Sequence, residues 1–149
     1  ANYTNFAELD KTFYLVDTFS GLVDNLLTEN ERQRTDPALQ YEECYNAVRG
    51  TFSDFSNIVI CRGWVPDILP TVAAKKISFL HIDMNSAAPE IAAGEYFWDK
   101  LAPSAPILLD DYAYPGFHDQ KLAWDVFAEK KGVKVLSIPT GQGLILKPQ

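Results

Sequence analysis

Two unbroken apolar runs, residues 77–82 and 107–109, each end in acid: Asp83 after the first, Asp110 and Asp111 after the second. Continuous apolar runs of strand length suit strands buried on both faces, as in parallel sheets. The segment between them has room for one crossover helix, so the pair predicts a βαβ unit. Helical spacing over residues 87–100 places that helix, with Ile91, Phe97, Trp98 and Leu101 supplying its buried side and Pro89 confined to its first turn. Residues 12–16 and 58–61, β-branched and aromatic, predict two earlier strands. Between these lie a polar stretch, 24–35, read as a surface loop or partial helix, and a helix begun by Asp36-Pro37. Tyr41, Cys44, Tyr45, Val48 and Phe52 recur at helical spacing along it and read as packing.

Toward the C-terminus, residues 118–131 predict a helix with Leu122, Val126 and Phe127 inward, lysines in its last turn and Gly132 as its stop. Residues 133–137 and 143–147 predict two strands joined by a turn short enough to make them antiparallel. Alternation of this kind implies an α/β fold: a doubly wound, mostly parallel sheet ending in an antiparallel strand. The 149 residues fit one domain, with no repeat, low-complexity tract or linker.

Composition narrows the partners. Thirteen basic against 20 acidic residues give a formal charge of −7, which argues against nucleic acid or an anionic membrane. A nucleotide-like cofactor held by backbone N–H groups stays compatible. Cys44 and Cys61 are too few for a disulfide framework and read as reduced thiols, pointing to a cytoplasmic protein. No segment has the length of a membrane span, and the first residues lack the pattern of a signal peptide.

In open α/β sheets ligands bind beyond the carboxyl ends of the strands, so the strand-end acids are the leading candidates. Asp83, Asp110 and Asp111 could supply carboxylate oxygens to a hard divalent ion such as Mg²⁺; each could equally cap the turn after its strand. Asp17, ending the first strand, could accept hydrogen bonds from ribose hydroxyls or simply start a turn. Gly63-Trp64 offers close backbone approach and a flat face for adenine, against the plainer reading of a core Trp. His81, inside a predicted buried strand, reads as a satisfied core histidine. His118, opening a helix beside the acidic loop, could serve as a base. No zinc spacing, nucleophile elbow, P-loop or GxGxxG is present.

The ordered set YLVDTFSGL, YEECYNAVRGTF, GWVPDILP, FLHIDMN and LLDDYAYPGF, with the QK-containing helix after it, resembles the macrocin-type O-methyltransferases from about Phe13 to Asp125. The resemblance implies a Rossmann-like fold and transfer of a methyl group from S-adenosylmethionine to a hydroxyl of a sugar or other small natural product. It implies that Asp17 takes the cofactor ribose, that Gly63 and Trp64 lie near its adenine, and that Asp83, Asp110 and Asp111 hold Mg²⁺ or a similar divalent cation. Asp83 then belongs to the catalytic centre through the ion, which orients and acidifies the acceptor hydroxyl.

Two departures bear on this. Asn85 stands where the family commonly has a second acid, proposed as base, so His118 or ion-bound hydroxide would have to substitute. The family's first strand and its glycine-rich turn have no counterpart, so the chain reads as lacking that N-terminal part and is expected to bind S-adenosylmethionine weakly. The absent strand would lie between strands 12–16 and 77–83; direct closure of those two, or self-association through their edges into a homo-oligomer, is expected rather than filling by residues 1–11. The rival reading is a non-catalytic Rossmann-like remnant serving as a structural or interaction domain. A metal-dependent hydrolase is disfavoured by the lack of a second His-and-carboxylate cluster.

Overall fold

The computed structural model describes residues 5–34 and 42–149. In chain order they form β1 (Phe13–Asp17), α1 (Glu29–Gln33), α2 (Tyr45–Thr51), β2 (Ile58–Arg62), β3 (Leu80–Ile82), α3 (Ala87–Trp98), β4 (Pro106–Leu109), α4 (His118–Lys131), β5 (Leu136–Ser137) and β6 (Gly143–Leu146). The result is a mixed α/β fold with parallel and antiparallel pairings. The predicted helix start at Asp36-Pro37, and Tyr41 of its stripe, lie outside the described residues; Cys44 immediately precedes α2 and is exposed.

The strands form two sheets rather than one. β1 and β2 pair in parallel, Phe13 opposite Ile58 through Asp17 opposite Arg62. The second sheet runs β3-β4-β6-β5, with β3 and β4 parallel and the rest antiparallel. The expected closure of β1 directly on β3 does not occur among the described residues. β1 pairs with β2, and β3 pairs with β4. Among the described residues before β1 there is a 3₁₀ turn at Phe6–Glu8 and no strand. This segment is tied to the start of β2 by Asn57, whose amide donates to the carbonyls of Phe6, Leu9 and Lys11.

The central βαβ unit forms with a shorter first strand than the apolar run suggested. Regular pairing begins at Leu80, while Ile77 makes an isolated parallel bridge to Leu101. The turn at 102–105, with Ser104 at φ 63°, interrupts the partner strand between the bridge and Pro106. Alternation along β3 and β4 then sorts the side chains. Ile82, Ile107 and Leu109 are buried against the helices, whereas His81 is exposed.

That core holds α3 and α4 together. Trp124 and Ile107 are fully buried, as is Ile145 of β6, with Phe97, Trp98 and Phe127 around them. Gly94 lets the helices approach: a Cβ there would lie 2.7 Å from the Trp124 ring. α4 turns a different face inward than its aliphatics suggested. Gln120, Trp124, Phe127 and Ala128 are buried, while Leu122 and Val126 are 51% and 67% exposed. Positions 120, 124, 127 and 128 fall on one helical face, and the bulk and N–H of Trp124 outweigh two aliphatic side chains on another. Gly132, at φ 69°, ends the helix as expected. No helix among the described residues is long and apolar enough to cross a membrane.

Candidate functional site

The carboxyl ends of β1, β2 and β3 open onto one cavity of about 360 Å³, a size typical of small-molecule sites. Asp17 and the loop after it form one wall, Gly63 and Trp64 another, and residues 83–86 the third. Local hydrogen bonds shape the first wall. The Asp17 Oδ1 accepts from the Phe19 N–H, folding the chain back at the strand end. Gly63 N–H donates to the Asp17 carbonyl at 2.9 Å, and Cys44 N–H to the Phe19 carbonyl at 3.0 Å. Trp64 is 51% exposed at the cavity, so it is a face available to a ligand rather than a core residue. The apolar remainder comes from Val16, Leu26, Val48 and Pro89.

Strand register brings the acids together. The Asp110 N–H donates to the Ile82 carbonyl at 2.9 Å, carrying the β3–β4 ladder one step past its last pair and setting Asp110 beside Asp83. His81, Asp83 and Asp110 each offer a ligand atom within 4.8 Å of the others. Asp111 is close enough that Asp83 and Asp110 act on its titration, but it lies outside that group of three. His81 is therefore not the core histidine its apolar neighbours suggested. It projects from the exposed face of β3, its Nε2 3.7 Å from the Asp110 Oδ1.

Crowding of negative charge shows in the titration of these groups. Asp83 keeps solvent access, yet partial burial raises its pKa, with Asp110 adding to the effect and His81 opposing it. Burial and the charges of Asp83 and Asp110 push Asp111 up to about 6, against an opposing pull from Arg34. Its Oδ2 is buried with no hydrogen-bond partner among the described residues. An orphaned, buried carboxylate oxygen beside two further acids is a donor set that a divalent cation fits.

Several residues that shape this site carry no sequence signal. Gln142 Nε2 donates to Asp110 Oδ1 at 2.6 Å. Arg34 donates to the Asn85 carbonyl at 2.6 Å, to the Gly116 carbonyl at 3.2 Å and to Gln120 Oε1 at 3.3 Å, with its guanidinium 3.9 Å from the Phe117 ring centre. Glu31, buried, accepts from Ala87 N–H at the start of α3 and from Thr28 N–H, both at 2.7 Å, and so fastens α1 to the loop after β3. Glu90, also buried, accepts from Trp124 Nε1 at 2.8 Å; burial first, then Asp111 and Asp83, pushes it up to about 7. Asn85, at φ 56°, reaches Asp83 Oδ1 at 3.4 Å through its amide. His118 sits at the exposed start of α4, off the cavity wall.

Strand ends that gather around a ligand-sized cavity, with acids at its rim, are the arrangement of cofactor-dependent α/β transferases. The profile of the macrocin-O-methyltransferases (TylF) matches residues 2–138, and the chain belongs to that S-adenosylmethionine-dependent family. Its fold is similar to that of the O-methyltransferase NovP, with a TM-score of 0.80 and 19% identity over 97% of this chain and 63% of NovP. It is also similar to CalS11, a calicheamicin methyltransferase, with a TM-score of 0.70 and 18% identity over 91% of this chain and 60% of CalS11. The chain thus spans less than two thirds of the length of either. No relative is found among the curated proteins.

Proposed function

We propose that this chain forms the cofactor- and metal-binding part of an O-methyltransferase that carries a methyl group from S-adenosylmethionine to a hydroxyl of a small natural product. The observation that carries the reading is the single cavity reaching from Asp17, Gly63 and Trp64 to Asp83. It supports a Rossmann-like layout in which both sheets present carboxyl ends to one cleft.

In this reading Asp17 accepts hydrogen bonds from the ribose hydroxyls, since its carboxylate stands at the end of β1 with one oxygen already fixed by Phe19. Trp64 stacks on the adenine and Gly63 lets the base approach the backbone. Asp83, at the cavity wall, and Asp110 and Asp111, beyond it, are the proposed carboxylates for a divalent ion. A bound ion would supply Lewis acidity, lowering the pKa of the acceptor hydroxyl and fixing its oxygen. Asn85 cannot take a proton; its amide reaches Asp83 Oδ1 at 3.4 Å. His118, at the far end of the loop that begins at Asp110, is the proposed proton acceptor. Holding oxygen and methyl in line accounts for much of the expected rate gain.

Calorimetry with S-adenosylhomocysteine, with and without divalent cation, tests the reading. Saturable heat that is lost in Asp17→Ala supports it. No binding at millimolar ligand, or binding indifferent to Asp17→Ala, overturns it.

A further inference from the structure

Among the described residues, four buried side-chain polar atoms lack a hydrogen-bond partner, and three of them are Arg34 Nε, Asp111 Oδ2 and Gln120 Nε2. These three share one neighbourhood. Arg34 Nη1 is 3.3 Å from Gln120 Oε1, and the Arg34 charge acts on Asp111. Arg34 Nη2 donates to the carbonyl of Asn85, a cavity residue, so the group adjoins the cavity at the loop after β3. Its donors are held in place. The guanidinium stands over the Phe117 ring and is tied to the Gly116 carbonyl, while Gln120 is fully buried in the first turn of α4. Two donors and an acceptor left buried and unpaired are costly, so such a set marks a place where a ligand group belongs.

We propose that Arg34 Nε and Gln120 Nε2 donate to the oxygen of the methyl acceptor's hydroxyl, that this hydroxyl donates to Asp111 Oδ2, and that the acceptor is a phenol. This rests on the methyltransferase reading above and names its acceptor subsite and class. Two donors and one acceptor complement a hydroxyl, which accepts twice and donates once. A carboxylate has no proton to give and would face Asp111 with like charge. A carboxylate oxygen has lone pairs for both an ion and the hydroxyl, so Asp111 can serve both. As the acceptor oxygen gains negative charge during transfer, the Arg34 N–H stabilises it more than the neutral hydroxyl. Tyr114, 57% exposed and edge-on to Phe117 at 5.9 Å, supplies an aromatic face beside the donors, which suits a phenolic ring. The three atoms are shut off from solvent, so the acceptor enters as α1 lifts. That short helix buries only Glu31 and is fastened by polar contacts, Glu31 to Ala87 N–H and Thr28 to Asp119.

The test titrates the ¹⁵N-labelled full chain, in Mg²⁺ and millimolar S-adenosylhomocysteine, with phenol and with anisole, its methyl ether. Phenol should move the side-chain N–H signals of Gln120 and Arg34, and anisole, which has no proton for Asp111, should leave them in place. Gln120→Glu keeps an oxygen to accept from Arg34 but loses the donor, so phenol affinity should fall about tenfold or more. A Gln120 with a merely structural role would not move that affinity, because Glu pairs with Arg34. Should Gln120→Glu fail to fold, the comparison of phenol with anisole on the native chain decides. Signals that ignore phenol, signals that follow anisole equally, or undiminished phenol binding in Gln120→Glu each overturn the inference while S-adenosylhomocysteine binding leaves the methyltransferase reading standing. A native chain that binds no S-adenosylhomocysteine overturns that reading, and this inference with it.

Discussion

Glu90 is a buried acid that faces neutral donors, the Trp124 indole and the Met84 backbone, and no paired cation among the described residues, so replacing it by Gln should make the protein more stable at neutral pH. Its pKa rises from 4.5 to about 7, with burial the leading cause. An acid raised on folding binds more protons in the native than in the unfolded state over that interval. Stability therefore falls as pH rises from the unfolded value toward the folded one, and the full penalty stands above pH 7. At about 1.4 kcal/mol per unit, the shift corresponds to about 3 kcal/mol. Gln keeps an oxygen to accept from Trp124 Nε1 and cannot ionise.

Urea unfolding of native chain and Glu90→Gln at pH 5 and pH 8, both in chelator, gives the assay. The two should be nearly equal at pH 5, and the variant should gain up to about 3 kcal/mol at pH 8. A stability difference that is the same at both pH values would refute the burial argument.

Glu31→Ala removes two charged acceptor contacts at 2.7 Å and should cost about 3 kcal/mol, with faster amide exchange at Ala87 as the local readout. Gly94→Ala forces a Cβ to 2.7 Å from the Trp124 ring; overpacking of this kind costs about 1–3 kcal/mol, read as a lower midpoint in thermal unfolding. Asp17→Asn, which keeps the oxygen that accepts from Phe19 N–H, should weaken S-adenosylhomocysteine about tenfold in the same calorimetric titration that detects native binding, while leaving the urea midpoint nearly unchanged.

The strands and the longer helices were legible because their apolar runs are local signals. The acids at the ends of β1, β3 and β4 were legible for the same reason: a strand's end is where its apolar run stops. The residues that tune the site were not. Arg34 and Gln120 lie 86 positions apart, and nothing near either one announces the other. Glu90 sits on a helix whose first turn would welcome any acid, and only the packing of Trp124 shows that it is buried. His81 reads as internal because it interrupts an apolar run; whether its face is covered depends on which strands pair with β3. The same dependence explains the two sheets. A strand's character is local, but its pairing is decided by neighbours distant in the chain.

The central claim is that one cavity between the strand ends receives the methyl donor. Titrating ¹⁵N-labelled protein with S-adenosylhomocysteine to millimolar concentration tests it directly. The account predicts shifts at the backbone of Asp17 and Gly63 and at the exposed Trp64 indole, with the buried Trp98 and Trp124 indoles unmoved. Shifts clustered away from those residues, or none at all, would contradict it.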